Sequence, residues 1–93
     1  MLYILNKACA SSLAQLEVIG AGDDEAWVLL VSDAVFLGTD AGLKRFADLD
    51  VESFYAARDA VETRRVTLSE EVELLDYDGM AELLEDADKI IML

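Results

Sequence analysis

The 93-residue sequence contains no proline and no histidine, and it has a single cysteine. One cysteine excludes an intrachain disulfide, so the chain does not read as a disulfide-stabilised secreted scaffold. With no histidine and one cysteine, a zinc site would have too few ligands, and the carboxylates do not follow the spacing of a calcium-binding loop. The composition therefore predicts neither a metal nor another cofactor.

Long apolar runs are also missing. No run approaches the roughly 18 apolar residues of a transmembrane helix. The N-terminal segment MLYILNKACASS lacks the basic start and the long apolar core of a signal peptide. We therefore expect a cytoplasmic protein that is not bound to a membrane.

Basic residues are scarce. The sequence contains seven Lys and Arg residues and twenty Asp and Glu residues, which gives a formal net charge of −13. Phosphate contacts require clustered Lys and Arg, so this charge argues against direct nucleic acid binding and against docking on an anionic membrane. Three explanations stay open for the acidity: solubility through self-repulsion, adaptation to a high-salt cytoplasm, and a basic partner surface.

Apolar residues make up 55% of the sequence, and the segment AWVLLVSDAVF at positions 26–36 is central to its pattern. The unbroken apolar run from Trp27 to Val31 is typical of a strand that is covered on both faces. Ser32 or Asp33 then offers a cap for a helix that begins near Ala34. Such strand-to-helix corners are where α/β proteins usually place their sites.

Four further apolar segments alternate with helical patterns. The predicted strands are residues 2–5, 27–31, 53–57, 72–75 and 89–93. The predicted helices are residues 11–19, 34–47 with an interruption at 38–40, 58–65 and 77–85. Asp40 is predicted to cap the part of the second helix that follows the interruption, and Asp76 is predicted to cap the last helix. This alternation predicts one domain over residues 1–93, a three-layer α/β/α sandwich with a five-stranded, mostly parallel sheet.

Cys9 is the first candidate for chemistry. It follows the first strand and precedes a predicted helix, where the helix dipole and Lys7 would favour a thiolate. That setting suits a nucleophile or a persulfide carrier. Alternatively, Cys9 is a small packing residue, since Ala8 and Ala10 flank it.

Asp33 and Asp76 are the second candidate, because each follows an apolar strand and precedes a helix. Two carboxylates at one sheet edge can perform acid–base work, whereas helix capping explains each of them without catalysis. Tyr77 and Trp27 are expected to pack in the interior and not to form a ligand platform.

Several segments together resemble the DsrH/TusB family. The resemblance rests on MLYILNK at 1–7, VLLVSDAVF at 28–36, FYAA at 54–57, Arg64, and LLDYDGM at 74–80, which is similar to the strand-Asp-Tyr-x-Gly-Phe segment of the family. Three positions depart from it: Ala34 and Arg65 stand where the family often has glycine, and Met92 stands where tryptophan is common. The cysteine that some members carry in the first helix corresponds to Leu13 or Leu16, so no role transfers to Cys9 by motif.

The resemblance implies a small DsrE/DsrF/DsrH-like subunit of a cytoplasmic sulfur-relay (sulfurtransferase) complex. Such complexes serve tRNA wobble-uridine 2-thiolation or dissimilatory sulfur oxidation, and the persulfide cysteine usually lies on the DsrE/TusD-type subunit. The implied partners are DsrE/TusD-like and DsrF/TusC-like subunits, and the implied role of this chain is non-catalytic. A divergent homolog that assembles with itself as a homo-oligomer fits equally well.

Two other functions stay open. One is a Cys9-dependent persulfide carrier, and the other is a small acidic self-assembling interaction module without a sulfur role. The high apolar content predicts an oligomer in each case, with an exposed patch from Ile90, Ile91 and Leu93 or from the helix around Met80.

Overall fold

The computed structural model describes residues 1–8, 13–16, 26–46 and 51–93. Five strands form one sheet in the order β4-β3-β2-β1-β5, and every neighbouring pair is parallel. The strands are β1 (Leu2–Leu5), β2 (Ala26–Leu30), β3 (Val51–Ala57), β4 (Val72–Leu75) and β5 (Ile90–Met92). Helix α1 includes residues 13–16; the helices after it are α2 (Asp40–Leu43), α3 (Arg58–Arg64) and α4 (Tyr77–Asp86), with 3-10 helices at Ser32–Gly38 and Lys44–Phe46. The predicted α/β class and the five-stranded parallel sheet are confirmed.

The order of the strands explains why the sheet is covered on both faces. The chain steps from β1 to β4 in one direction and then returns to place β5 beside β1. Right-handed crossovers put the helices of the first three connections on one face and α4 on the other. The larger cluster of buried side chains includes Tyr3, Val28 and Leu30, whereas Leu2, Leu29 and Leu83 of α4 form the smaller one.

Two of the predicted caps are wrong. Thr39, and not Asp40, caps α2: its Oγ1 accepts from the backbone N–H of Gly42 at 3.0 Å. Neither Ser32 nor Asp33 caps the helix after β2, because Val31 is the residue before that helix and contributes no side-chain bond. The first turn is closed by the backbone alone, with Ala34 N–H donating to Val31 O at 3.1 Å.

The cap predicted for α4 is confirmed. The carboxylate of Asp76 accepts from the N–H of Gly79 at 2.9 Å. Strand β3 begins at Val51, two residues before the predicted start. Of the three residues whose spacing predicts the inward face of α4, Met80 and Leu83 pack against the smaller cluster, whereas Leu84 is 39% exposed.

Arg65 ends α3 in a left-handed conformation, with φ 53° and ψ 44°. The N–H of Val66 reaches back to Val61 O at 3.2 Å, which is the bond of a Schellman closure. This backbone position favours glycine, because a Cβ in a left-handed conformation costs roughly 1–2 kcal/mol.

Replacing Arg65 with glycine is therefore expected to raise the free energy of unfolding by about 0.5–1 kcal/mol. The relief of left-handed strain is partly offset by the larger unfolded-state entropy of glycine. Urea unfolding followed by circular dichroism measures the change. Arg65→Ala is the matched control, because it removes the same exposed charge and keeps the Cβ. Equal stabilities of the two variants would show that backbone strain is not the cause.

Candidate functional site

The candidate site lies at the carboxyl edge of the sheet, where β2, β3 and β4 end side by side. Each of these strands leads within two residues into a helix, namely the 3-10 helix Ser32–Gly38, α3 and α4. In open α/β sheets, ligands bind at this edge because the loops and helix starts converge there. The three helix starts bring Asp33, Asp59 and Asp76 to the same end of the sheet.

Arg64 is the residue that organises one half of this edge. Its Nε donates to Asp33 Oδ1 at 2.9 Å, and its Nη2 lies 3.4 Å from Ser32 Oγ. A third contact joins Nη1 to the carbonyl of Ala60 at 3.5 Å. The Asp33 side chain is 66% exposed and that of Arg64 is 26% exposed, so the ion pair adds little stability, about 0–1 kcal/mol. Its effect is to hold the corner after β2 against α3.

Ser32 at that corner has φ 53°, the left-handed region that serine rarely adopts. The conformation turns the chain from β2 directly into the 3-10 helix, and the contact with Arg64 accompanies it. Strained residues of this kind cluster at binding and catalytic sites. The left-handed Ser32 thus lies within the candidate site at this edge.

Tyr77 and Asp59 form the other half of the edge. Tyr77 Oη donates to Asp59 Oδ2 at 3.3 Å, while Asp59 Oδ1 accepts from Ala60 N–H at 2.9 Å. Tyr77 is 76% exposed, so the prediction that it packs in the interior is wrong. It is the first residue of α4, and the inward face of that helix is already occupied by Met80 and Leu83. Trp27, by contrast, is half-buried against the smaller cluster as predicted.

Asp33 and Asp76 do not act as a pair. Strand β3 lies between the strands that they follow, and each carboxylate has its own partner: Arg64 for Asp33 and the N–H of Gly79 for Asp76. The arrangement favours the capping explanation for Asp76 and an ion-pair role for Asp33 over joint acid–base chemistry.

Two clefts follow the edge and meet at Asp59 and Met80. The smaller has a volume of about 130 Å³ and is lined by Arg58, Asp59, Glu62, Leu75, Asp76, Tyr77 and Met80. The larger, of about 370 Å³, is lined by Val31, Ser32, Ala57, Asp59, Ala60, Thr63, Arg64 and Met80. Together they make a groove with an apolar end at Leu75 and Tyr77 and a polar end at Ser32 and Arg64.

Cys9 lies outside the described residues. Ala8, directly before it in sequence, is half-buried against the larger cluster. In the described part of the chain, no three His, Cys, Asp or Glu side chains are grouped to hold a metal ion. No helix within the described ranges is long and apolar enough to cross a membrane.

The sequence alone predicts only some of the residues of this site and none of the contacts between them. Arg64 belongs to the segments that carry the family resemblance, but its partner is 31 positions away along the chain. Asp59 and Tyr77 are 18 positions apart. Neither contact follows a short-range spacing, so only the fold brings these groups together.

No family model and no curated protein matches the sequence. The fold is similar to the crystal structure of the YchN protein from E. coli, with a TM-score of 0.71. The match covers 99% of this chain and 97% of YchN at 16% sequence identity. YchN has a DsrEFH-like fold. This protein therefore has the DsrEFH-like α/β fold.

Proposed function

We propose that the chain is a non-catalytic subunit of a cytoplasmic sulfur-relay (sulfurtransferase) complex of the DsrH/TusB kind. The observation that carries the proposal is the DsrEFH-like fold over nearly the whole chain, joined to the sequence segments that resemble DsrH/TusB. The complex would serve tRNA wobble-uridine 2-thiolation or dissimilatory sulfur oxidation, with DsrE/TusD-like and DsrF/TusC-like chains as partners.

The chemistry of the carboxyl edge supports a non-catalytic role. Asp33, Asp59 and Asp76 each accept a hydrogen bond from a structural partner. Among the described residues, the edge presents no thiol, and the hydroxyl that bonds a carboxylate there is the exposed phenol of Tyr77 on Asp59 at 3.3 Å, with no histidine beside it. What it presents is a groove, and that suits binding better than group transfer.

An exposed apolar surface supports assembly. On the face of the sheet that α4 covers, the register pairs Leu2 with Ile90 and Ile4 with Met92. Ile90 is 45% exposed and Met92 is 68% exposed. We define the β5 patch as Ile4, Trp27, Ile90 and Met92. Of the other residues expected in such a patch, Ile91 and Leu93 pack against the larger cluster instead, and Met80 is half-buried.

A second candidate function is a persulfide carrier at Cys9. The observation that favours it is the position of β1 beside β2: Val31 N–H donates to Leu5 O at 2.9 Å, so the segment that leads to Cys9 leaves the sheet next to Ser32. In that reaction the Cys9 thiolate attacks the outer sulfur of a donor persulfide. The donor S–S bond breaks, Cys9 keeps the outer sulfur as a persulfide, and the donor leaves as a thiolate.

Mass spectrometry after incubation with a persulfide donor separates the two functions. We expect no mass gain on the isolated chain, and we expect Cys9→Ser to copurify with DsrE/TusD-like and DsrF/TusC-like subunits as the native chain does. A gain of one sulfur atom that Cys9→Ser abolishes would replace the proposal with the carrier function. Failure of the native chain to copurify would leave a small acidic interaction module without a sulfur role.

A further inference from the structure

We propose that the 130 Å³ cleft beside Tyr77 is a docking pocket for one apolar side chain of a positively charged partner segment. We call this cleft, with its seven lining residues, the Tyr77 pocket. The inference is independent of the sulfur-relay role, because it rests on the shape and charge of the cleft alone.

The size of the Tyr77 pocket decides what enters it. Sites for drug-sized ligands and cofactors have volumes of roughly 300–1,000 Å³. A pocket of about 130 Å³ is much smaller, and it is close to the engineered protein cavities of about 150 Å³ that bind benzene. One leucine, methionine or phenylalanine side chain is the largest group that it can enclose.

The lining of the pocket is chemically suited to such an anchor. Leu75, Tyr77 and Met80 supply its apolar surface. Leu75 and Met80 are half-buried and continuous with the smaller core cluster, so the inner wall is held in place by packing. Methionine adapts its shape to different apolar partners. A tyrosine that is 76% exposed is a typical anchor of protein interfaces, because Trp, Tyr and Arg are enriched among the few residues that contribute most of the binding energy.

The charge around the pocket selects a cationic partner. Three carboxylates, those of Asp59, Glu62 and Asp76, line it together with one cation, Arg58. Asp59 and Glu62 are exposed and keep their charge available to a partner in solution. The chain as a whole carries −13, so a positively charged segment is attracted and an anionic one is repelled.

The groove next to the pocket indicates an extended partner. The 370 Å³ cleft joins the Tyr77 pocket at Asp59 and Met80, and hydroxyl groups of Ser32 and Thr63 are among its lining. A compact ligand would occupy one compartment. A peptide segment can place one apolar side chain in the pocket while its polar backbone follows the cleft, which uses both compartments.

Isothermal titration calorimetry with three synthetic peptides tests the proposal. The probes are Ac-KKFKK-amide, Ac-KKAKK-amide and Ac-EEFEE-amide. We expect the first to bind, the second to bind at least about tenfold more weakly, which corresponds to about 1.4 kcal/mol, and the third not to bind. Two-dimensional 1H–15N NMR is expected to show shifts at the amides of Gly79 and Met80. Equal binding of the phenylalanine and alanine peptides, or shifts confined to other parts of the chain, would overturn the proposal.

Matched variants locate the site. Tyr77→Ala is expected to weaken binding of Ac-KKFKK-amide about tenfold, whereas Leu84→Ala, at another exposed position of α4, leaves it unchanged. Glu62→Lys is expected to weaken binding several-fold more than Glu82→Lys, an exposed residue outside the pocket lining. These two variants change the net charge equally. Equal losses of affinity would therefore show that the peptide binds by non-specific charge attraction, and they would contradict docking in the Tyr77 pocket.

Discussion

Replacing Gly42 with alanine is expected to lower the free energy of unfolding by about 2–3 kcal/mol, within the range of overpacked cores. A Cβ on Gly42 would lie 2.6 Å from the carbonyl oxygen of Leu37 and 2.7 Å from its carbonyl carbon. Backbone atoms cannot rotate away as side-chain ends do, so α2 must move off the preceding 3-10 helix. Leu37 is only 3% exposed, and the displacement therefore reaches the larger core cluster.

Gly79→Ala is the control for this prediction. Gly79 is also a helical glycine whose N–H bonds to a capping side chain, but its added Cβ would meet the flexible Cδ2 of Leu75 at 3.1 Å. Alanine is favoured over glycine in a helix by about 1 kcal/mol. This gain offsets the cost of the tight contact with Leu75, so we expect Gly79→Ala to leave the free energy of unfolding nearly unchanged. Tryptophan fluorescence of Trp27 in urea reports both unfolding curves. A Gly42→Ala variant as stable as Gly79→Ala would show that α2 is loosely placed.

The strands were predictable because β1, β2 and β5 are short apolar runs and the other two strands are apolar apart from Glu52 and Ser53 in β3 and Glu73 in β4. The segment at 27–31 is covered on both faces in the structure, as an unbroken run requires. The cap at Asp76 was also predictable, since a local side-chain-to-backbone bond is encoded within three residues. Local chemistry thus accounts for the sheet and for the start of α4.

The corner after β2 shows where local reasoning fails. Ser32-Asp33 has the composition of a cap, yet Ser32 takes a left-handed conformation and Asp33 turns to Arg64 on another helix. A charged partner 31 residues away competes with the local backbone for the same carboxylate, and the sequence does not reveal that competition. The exposure of Tyr77 is equally hidden from local reasoning, because α4 presents one inward face to the sheet and Met80 and Leu83 fill it.

The net negative charge of the chain, together with its fold, indicates which surface can pair with a second copy of the chain. Carboxylates surround the Tyr77 pocket, whereas the four members of the β5 patch are uncharged and the carboxylate of Glu52 accepts from Trp27 Nε1 at 3.3 Å at its border. Two copies of a chain with charge −13 repel each other, unless they meet at an uncharged surface. Strand β5 is an edge strand with the sequence IIM, and none of its three residues carries a charge of the kind that protects sheet edges from pairing, although exposed Lys89 directly precedes it. We therefore expect a second copy of this chain to cover the β5 patch.

Met92→Lys is expected to weaken this self-association at least about a hundredfold, which corresponds to about 2.8 kcal/mol. The sign of the effect is diagnostic. The added lysine reduces the net charge from −13 to −12, so general electrostatics favours association, whereas an ammonium without a partner in an apolar interface opposes it. Phe36→Lys makes the same charge change at another exposed apolar residue, 49% accessible and outside the patch, and should not weaken association. Sedimentation velocity over a concentration series compares the three proteins. A native chain that stays monomeric at micromolar concentration, or equal weakening by the two lysines, would contradict assembly through β5.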